Sequence, residues 1–446
     1  MLEDAMPPGV SRRSVLAGAS ATIAASLSGC AALGGSGGGG SGKPIFWTEY
    51  FADEVDDPWE NWYHESYEKE TGTDVTVAGF PYADRRKKFL TSARSGNPDY
   101  IEGVLSHLSE FVKADLLEPI TDRAKDLEHF DGYVDGAIDA VSYRGELYGL
   151  PFTGNGRALI YRKDVFEKHG LEPPETAADF LEAGRVINER EDDMWAFHNC
   201  TKKGSTRAFQ EWMSHVYQHA DALYTYEGGS PTLVASADAL GQVFDNFYYQ
   251  VWASDEPIAN PDQRGTGWQV NDPGYLNGQF AMIECGPWLR GWTTGEEVTN
   301  SERTKTILNE KTAVAHLPHA GTARRGTYLE VKPVMVNKHS EQTDLAWEGV
   351  SLFTSPESFR QLKQAEPNSG DLATPVHEDI ESTLSDEDWL PFVDVFETGT
   401  PLAKISWGPV RKAFYGEMQR VIYGKKAPDR AGKDLHSRLK ELESEV

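Results

Sequence analysis

At 446 residues the chain is long enough for two ordinary domains, each burying its own core. Hydrophobic residues make up 39% and charged residues 25%, with 12 Trp, 18 Tyr and 19 Phe, a composition that excludes a disordered chain. Asp plus Glu number 70 against 43 Lys plus Arg, and the net charge of -27 repels nucleic acid and anionic lipid headgroups.

Attraction of cations or basic ligands is one use of such a surface. The plainer one is solubility at high salt, where a Debye length of about 3 Å at 1 M screens the self-repulsion; the expected source is halophilic, and haloarchaeal.

In chain order, Ser11-Arg12-Arg13-Ser14-Val15-Leu16 leads into a mild apolar run from Val15 to Leu27. A basic flank, a short apolar core and small residues at its end outline a signal peptide. Arg12 and Arg13, followed by Val15 and Leu16, resemble a twin-arginine export signal. The run is too short and too rich in Ala, Ser and Gly to span about 30 Å of hydrocarbon. It closes on Leu27-Ser28-Gly29-Cys30, which resembles a lipobox, where cleavage before Cys30 frees a thiol for lipid attachment. Residues 1–30 therefore read as the signal peptide. Residues 31–43 read as a tether, because 34–42 hold only Gly and Ser. The expected location is the extracellular face of the membrane, held there by lipid.

From Pro44 the pattern changes. Ile45-Phe46-Trp47 reads as a strand, and Trp59 to Glu70 as a helix with Trp59, Trp62, Tyr63 and Tyr67 near one face. Thr71-Gly72 stops that helix, Val75-Thr76-Val77 gives a second strand, and Arg85 to Ser95 a second helix closed by Gly96-Asn97-Pro98. Alternating strands and helices imply a mostly parallel sheet covered on both faces. Ligands of such sheets sit beyond the carboxyl ends of the strands, at Thr48-Glu49-Tyr50, at Gly79-Phe80-Pro81-Tyr82 and at the turn after Ile101.

Other constellations are thin. His215 and His219 share a helix face, but no HExxH and no third ligand accompany them, so neither a metal nor another cofactor is expected. Cys200 and Cys285 are read either as a disulfide or as two free buried thiols. Asn199-Cys200-Thr201 is a glycosylation sequon. No Walker loop, GxSxG or dinucleotide GxGxxG stands in the right context.

Several stretches together carry a resemblance. Gly96-Asn97-Pro98-Asp99-Tyr100-Ile101, Leu116-Leu117-Glu118-Pro119-Ile120, Leu147-Tyr148-Gly149-Leu150-Pro151-Phe152, Ile160 to Phe166 and Gly170 to Thr176 stand in order, followed by Tyr275 to Met282 with Gly286-Pro287-Trp288, and by Trp407 to Pro428. In sequence and order they resemble the maltose-binding-like family 1 extracellular solute-binding proteins. That resemblance implies an α/β, two-lobed periplasmic-binding-protein fold of type II, with a hinge and a ligand cleft between the lobes. The crossings are expected near Phe152 to Arg157 and near His316-Leu317-Pro318. Lobe 1 is then 44–152 plus 316–363, and lobe 2 is 153–315 plus 364–446.

The implied function is capture of a sugar or oligosaccharide and its delivery to the permease of an ABC importer, by a monomer that performs no reaction. Pyranose rings need flat apolar faces and forked polar groups. Trp288 and Trp407 stand where the family carries stacking aromatics, with Trp212 and Trp47 as further candidates. Glu49, Tyr50, Tyr82, Asp84 and Glu330 are polar candidates, and Asn155, between Gly154 and Gly156, stands at the hinge. Where maltose binders carry a Trp and an acidic and basic pair, this chain has Gly103 and Ser106-His107, which points away from maltose. The alternatives are a binder of another solute, such as a glycerol phosphodiester or polyamine, and an exported glycosidase with two carboxylates.

Overall fold

The computed structural model describes residues 42–51, 57–80, 82–227, 230–293, 298–319, 325–367, 369–384, 386–394 and 398–446. Arg12, Arg13, Cys30 and the tether up to residue 41 lie outside these residues. Nine strands form the two main sheets: β1 (Ile45–Thr48), β2 (Thr76–Gly79), β3 (Tyr100–Glu102), β4 (Leu150–Asn155), β5 (Ala158–Arg162), β6 (Trp195–His198), β7 (Phe280–Cys285), β8 (Thr312–Ala315) and β9 (Glu330–Val336). The first sheet runs β2-β1-β3-β9-β4 and the second β8-β5-β7-β6.

Local chemistry sets the elements around them. Helix α1 (Pro58–Thr71) starts where the Asp57 carboxylate accepts the Trp59 N–H at 2.8 Å with Pro58 in the first position. It stops at Gly72, whose φ of 72° lets its N–H reach the Glu68 carbonyl. Trp59, Tyr63 and Tyr67, four residues apart, form its buried stripe, while Trp62 is only half-buried. Trp59 also donates its indole N–H to Ser358 Oγ, 3.0 Å away on helix α5 (Pro356–Ala365).

In the first sheet β2, β1 and β3 are parallel, and β9, arriving from far along the chain, inserts antiparallel between β3 and β4. The sheet is therefore mixed where the local pattern implies mostly parallel pairing. In the second sheet β5 runs antiparallel to β7 and β8, while β7 and β6 are parallel. Strand β5 is buried throughout and covered on both faces. Its Leu159 and Tyr161 enter one apolar cluster and its Ala158 and Ile160 another.

Each sheet thus has its own core, and the chain is a two-lobed α/β protein. It passes from the first sheet to the second through Gly156-Arg157, between β4 and β5, and returns between β8 and β9. On the return, Leu317 and Tyr328 still pack with the second lobe and the first lobe's core resumes at Leu329. Helix α5 (Pro356–Ala365) contains the expected boundary at residue 363, and the first core continues past it through Leu372, Val376 and Ile380. The segment read as 316–363 is thus shifted toward the C-terminus, because apolar spacing beyond α5 does not say which core it fills. Among the described residues no helix is long and apolar enough to cross a membrane.

Candidate functional site

Strand directions bring the carboxyl edges of the two sheets together. In the first lobe that edge carries Glu49 after β1, Glu102 and Leu105 at and after β3, Asn155 at the end of β4, and Glu330 at the start of the reversed β9. In the second lobe it carries Arg157 before β5, Cys200 after β6, Trp288 after β7 and His316 after β8. Because both crossings leave from these edges, the edges face the same interlobe cleft.

The first edge is a compensated ionic cluster. Fully buried Glu102 accepts from Thr48 Oγ1 at 2.9 Å, from the Glu49 N–H at 3.1 Å and from Arg85 of helix α2 (Tyr82–Ser92). Arg85 also lies 3.1 Å from Glu49, whose other oxygen accepts from Lys332 at 2.5 Å. Burial pushes the Glu49 carboxyl up, but the Lys332 and Arg85 cations outweigh it and hold the group below its ordinary range. Lys332, raised by Glu49, Tyr50 and Asp371 against its burial, stays charged.

Across the cleft runs a polar chain from lobe to lobe. Glu330 accepts the Leu105 N–H at 2.7 Å, the Gln210 side-chain amide at 2.8 Å and the Tyr328 hydroxyl. Gln210 in turn accepts from Arg157, which also donates to Asn155 Oδ1 at 2.9 Å and to the Gly156 carbonyl at 3.1 Å. Burial raises the Glu330 carboxyl above its usual value, although the Tyr328 hydroxyl and the Leu105 N–H lower it.

The second edge is built on helix α4 (Thr206–Tyr217), where Arg207, Gln210, Glu211 and Ser214 share the face turned to the cleft network. Arg207 pairs with Glu211 at 2.9 Å and with Asp272 at 3.3 Å, and donates to the Glu284 carbonyl at 2.6 Å. Burial pushes Glu211 up to about 8, against the pull of Arg207. Over this edge lies Trp288, half-buried, with the Arg157 guanidinium 4.8 Å and the Arg207 guanidinium 5.0 Å from its ring centroid. Its ring folds back over Gly286, where any Cβ would stand 1.9 Å from it, which is why glycine precedes this Trp.

The other aromatic candidates sit elsewhere. Trp212 is 0% exposed and stacks on Phe414 at 4.4 Å in the second lobe's core. Two positions from Gln210 on a 3.6-residue helix, it points about 200° away from the cleft face. Trp407 is 2% exposed, donates its indole N–H to the Ala403 carbonyl at 2.8 Å and belongs to the same core. Trp47, 6% exposed, lies against Phe80 in the first core. None of these three presents a free ring face, because each fills a core position. The side chain of Tyr82 lies outside the described residues.

The structure therefore brings Glu49, Asn155, Glu330 and Trp288 to the cleft edges and adds Glu102, Arg157, Arg207, Gln210 and Lys332, which the sequence reading passed over. The signals were present for two of these: Arg157 directly follows Gly154-Asn155-Gly156, and Gln210 stands beside Trp212 on the helix already chosen. Cys200 and Cys285 are both free and buried. His215 pairs with Glu284, and Asn199, 1% exposed, accepts from Trp252 at 2.9 Å, so the sequon is closed to a glycan in the folded chain.

Comparison with known proteins decides the family. The profile of the bacterial extracellular solute-binding proteins matches residues 62–377. The chain belongs to this family. Its members are extracellular binding proteins, not enzymes. A putative binding protein of Brucella abortus is 22% identical over 344 residues, covering 73% of this chain and 75% of the relative. The maltotriose-binding protein of Pyrococcus abyssi is 22% identical over 325 residues, covering 72% and 65%. Among solved structures, the GacH receptor of Streptomyces glaucescens, studied unliganded and with acarbose, superposes with a TM-score of 0.73 at 18% identity over 91% of this chain and 99% of that one. The maltotriose-binding protein of Thermus thermophilus, bound with maltotriose, gives 0.68 at 20% identity over 90% and 100%. The two-lobed binding-protein fold is thereby established for this solute-binding protein.

Proposed function

We propose that this solute-binding protein captures a sugar or oligosaccharide between its lobes and hands it to the permease subunits of an ABC importer. One observation carries the reading: half-buried Trp288 lies over the edge where the Glu330–Gln210–Arg157 chain crosses from lobe to lobe. A flat ring face suits the C–H side of a pyranose, and carboxylate and amide groups suit its hydroxyls. Relatives whose names specify maltotriose support the carbohydrate class.

Solute favours the closed arrangement because only there do both lobes touch it. Gly156 and Arg157 form the shortest connection between the sheets, so the hinge belongs there and at the return before Leu329. In the same reading Arg12-Arg13 directs export, Cys30 carries the lipid, residues 31–43 tether a monomeric body outside a halophilic, haloarchaeal cell, and no cofactor takes part.

Thermal melting with a panel of oligosaccharides, followed by product analysis, tests this. A ligand at about 100 times its Kd stabilises by roughly 2.7 kcal/mol, a clear rise in Tm. At least one sugar should give that rise and be recovered unchanged. A panel without effect, or any sugar turned over, contradicts the proposal.

A further inference from the structure

Arg157 is 4% exposed, and among the described residues no carboxylate lies within 4.0 Å of its guanidinium. Its donors go to neutral acceptors only: the Asn155 side-chain oxygen, the Gly156 carbonyl and the Gln210 side-chain oxygen. Its Nε is buried and has no partner. A buried guanidinium without an ion pair is a costly arrangement, since hydrogen bonds to neutral acceptors repay only part of its lost hydration.

The neighbouring carboxylates are committed elsewhere. Glu330 attracts Arg157 by charge but makes no ion pair with it; Gln210 links the two by hydrogen bonds, and Glu330 accepts from Leu105, Gln210 and Tyr328. Glu211 accepts from Arg207 and from the Cys200 N–H, and Asp272 from Arg207 and Asn271. Arg157 at the crossing between the lobes is thus a buried cation with no ion pair of its own among the described residues. A small cavity of about 10 Å³, room for about one water, adjoins it. His316, Arg325, Thr327 and Thr398 line that cavity together with Arg157, and among the described residues no carboxylate does.

We propose that the solute is an anionic carbohydrate, whose carboxylate or phosphate serves as the counter-ion of Arg157 while a sugar ring packs on Trp288. The inference rests on the carbohydrate reading and narrows it. A planar guanidinium with an unused N–H is suited to a bound oxyanion, and the Trp288 ring beside it places a pyranose within reach of the same group. Arg207 shares that ring but already holds two carboxylates, so Arg157 is the residue that sets the preference for charge.

Calorimetric titration of the whole protein with matched sets of oligosaccharides tests this: each neutral trisaccharide, its counterpart with one residue oxidised at C6 to a uronic acid, and its 6-phosphate. A charged member should bind more tightly than its neutral match by a factor on the order of ten, and the gap should narrow as salt rises. Which of the two wins separates a carboxylate from a phosphate ligand. In Arg157→Gln the charged-to-neutral ratio should fall toward one; Arg157→Lys, which keeps the charge, should retain part of it. The ratio isolates recognition of charge from any general loosening of the crossing, which weakens both ligands alike. Neutral sugars binding as well as charged ones, or a preference that survives in Arg157→Gln, overturns the inference and leaves the carbohydrate reading standing. No binding by any member overturns both.

Discussion

At the first lobe's edge Arg85 and Lys332 lie within 3.9 Å of carboxylates from Glu49 and Glu102, whereas at the second lobe's edge Arg157 meets amide and carbonyl oxygens and the rings of Trp288 and Tyr328. The first edge is closed on itself: its charges are internal and its worth is structural. The second is open: it holds a cation without an ion pair among the described residues and an aromatic ring that is only half-buried. Burial alone therefore does not mark the binding side. What distinguishes the second edge is a guanidinium bonded to neutral acceptors and a ring that is only half-buried.

The same contrast separates the tryptophans, and substitution can break it. Trp212→Ala should cost about 3–5 kcal/mol of stability in urea unfolding, since it empties a packed core site. Equal stability would place Trp212 outside the core. At the closed edge, Glu102→Gln should destabilise by about 3 kcal/mol, because Arg85 loses its fully buried carboxylate. If the urea midpoint is unmoved, the first edge is not the structural cluster described.

His198, at the end of β6 beside the second edge, extends the comparison to pH. Burial lowers its pKa from 6.5 to about 4, so between those values the unfolded chain binds a proton that the folded chain does not. Stability should fall by about 3 kcal/mol as pH drops through that window, a contribution complete above 6.5. His198→Gln should flatten that part of the decline in urea midpoint; parallel curves for the two proteins would contradict it. The smallest effect sharpens the contrast most. Trp288→Ala should lower the urea midpoint less than Trp212→Ala, since the ring is only half-buried, but weaken sugar binding by about 1–2 kcal/mol in calorimetry. Unaltered affinity would remove Trp288 from the site.

Much of this was readable from sequence where the signal is local. Gly154-Asn155-Gly156 marked the crossing because adjacent glycines suit a hinge, and Gly286-Pro287 marked Trp288 as a loop residue at a strand end. The α/β order followed from apolar spacing. Features assembled over long separations were not readable. Strand β9 joins the first sheet from more than 200 residues beyond β3, and Lys332 reaches the Glu49, Arg85 and Glu102 cluster only through that pairing. Trp212 shows a different gap. Residue type alone favours this Trp over Gln210, and only the packing of α4 shows which face meets the other lobe.

The placement of solute between the two edges is tested most directly by a co-crystal structure with the sugar that raises the Tm furthest. The account predicts a pyranose ring packed on Trp288, with its polar groups shared between Arg157 or Gln210 of the second edge and Glu330 of the first. A sugar bound outside the cleft, or inside it without touching Trp288, would contradict it.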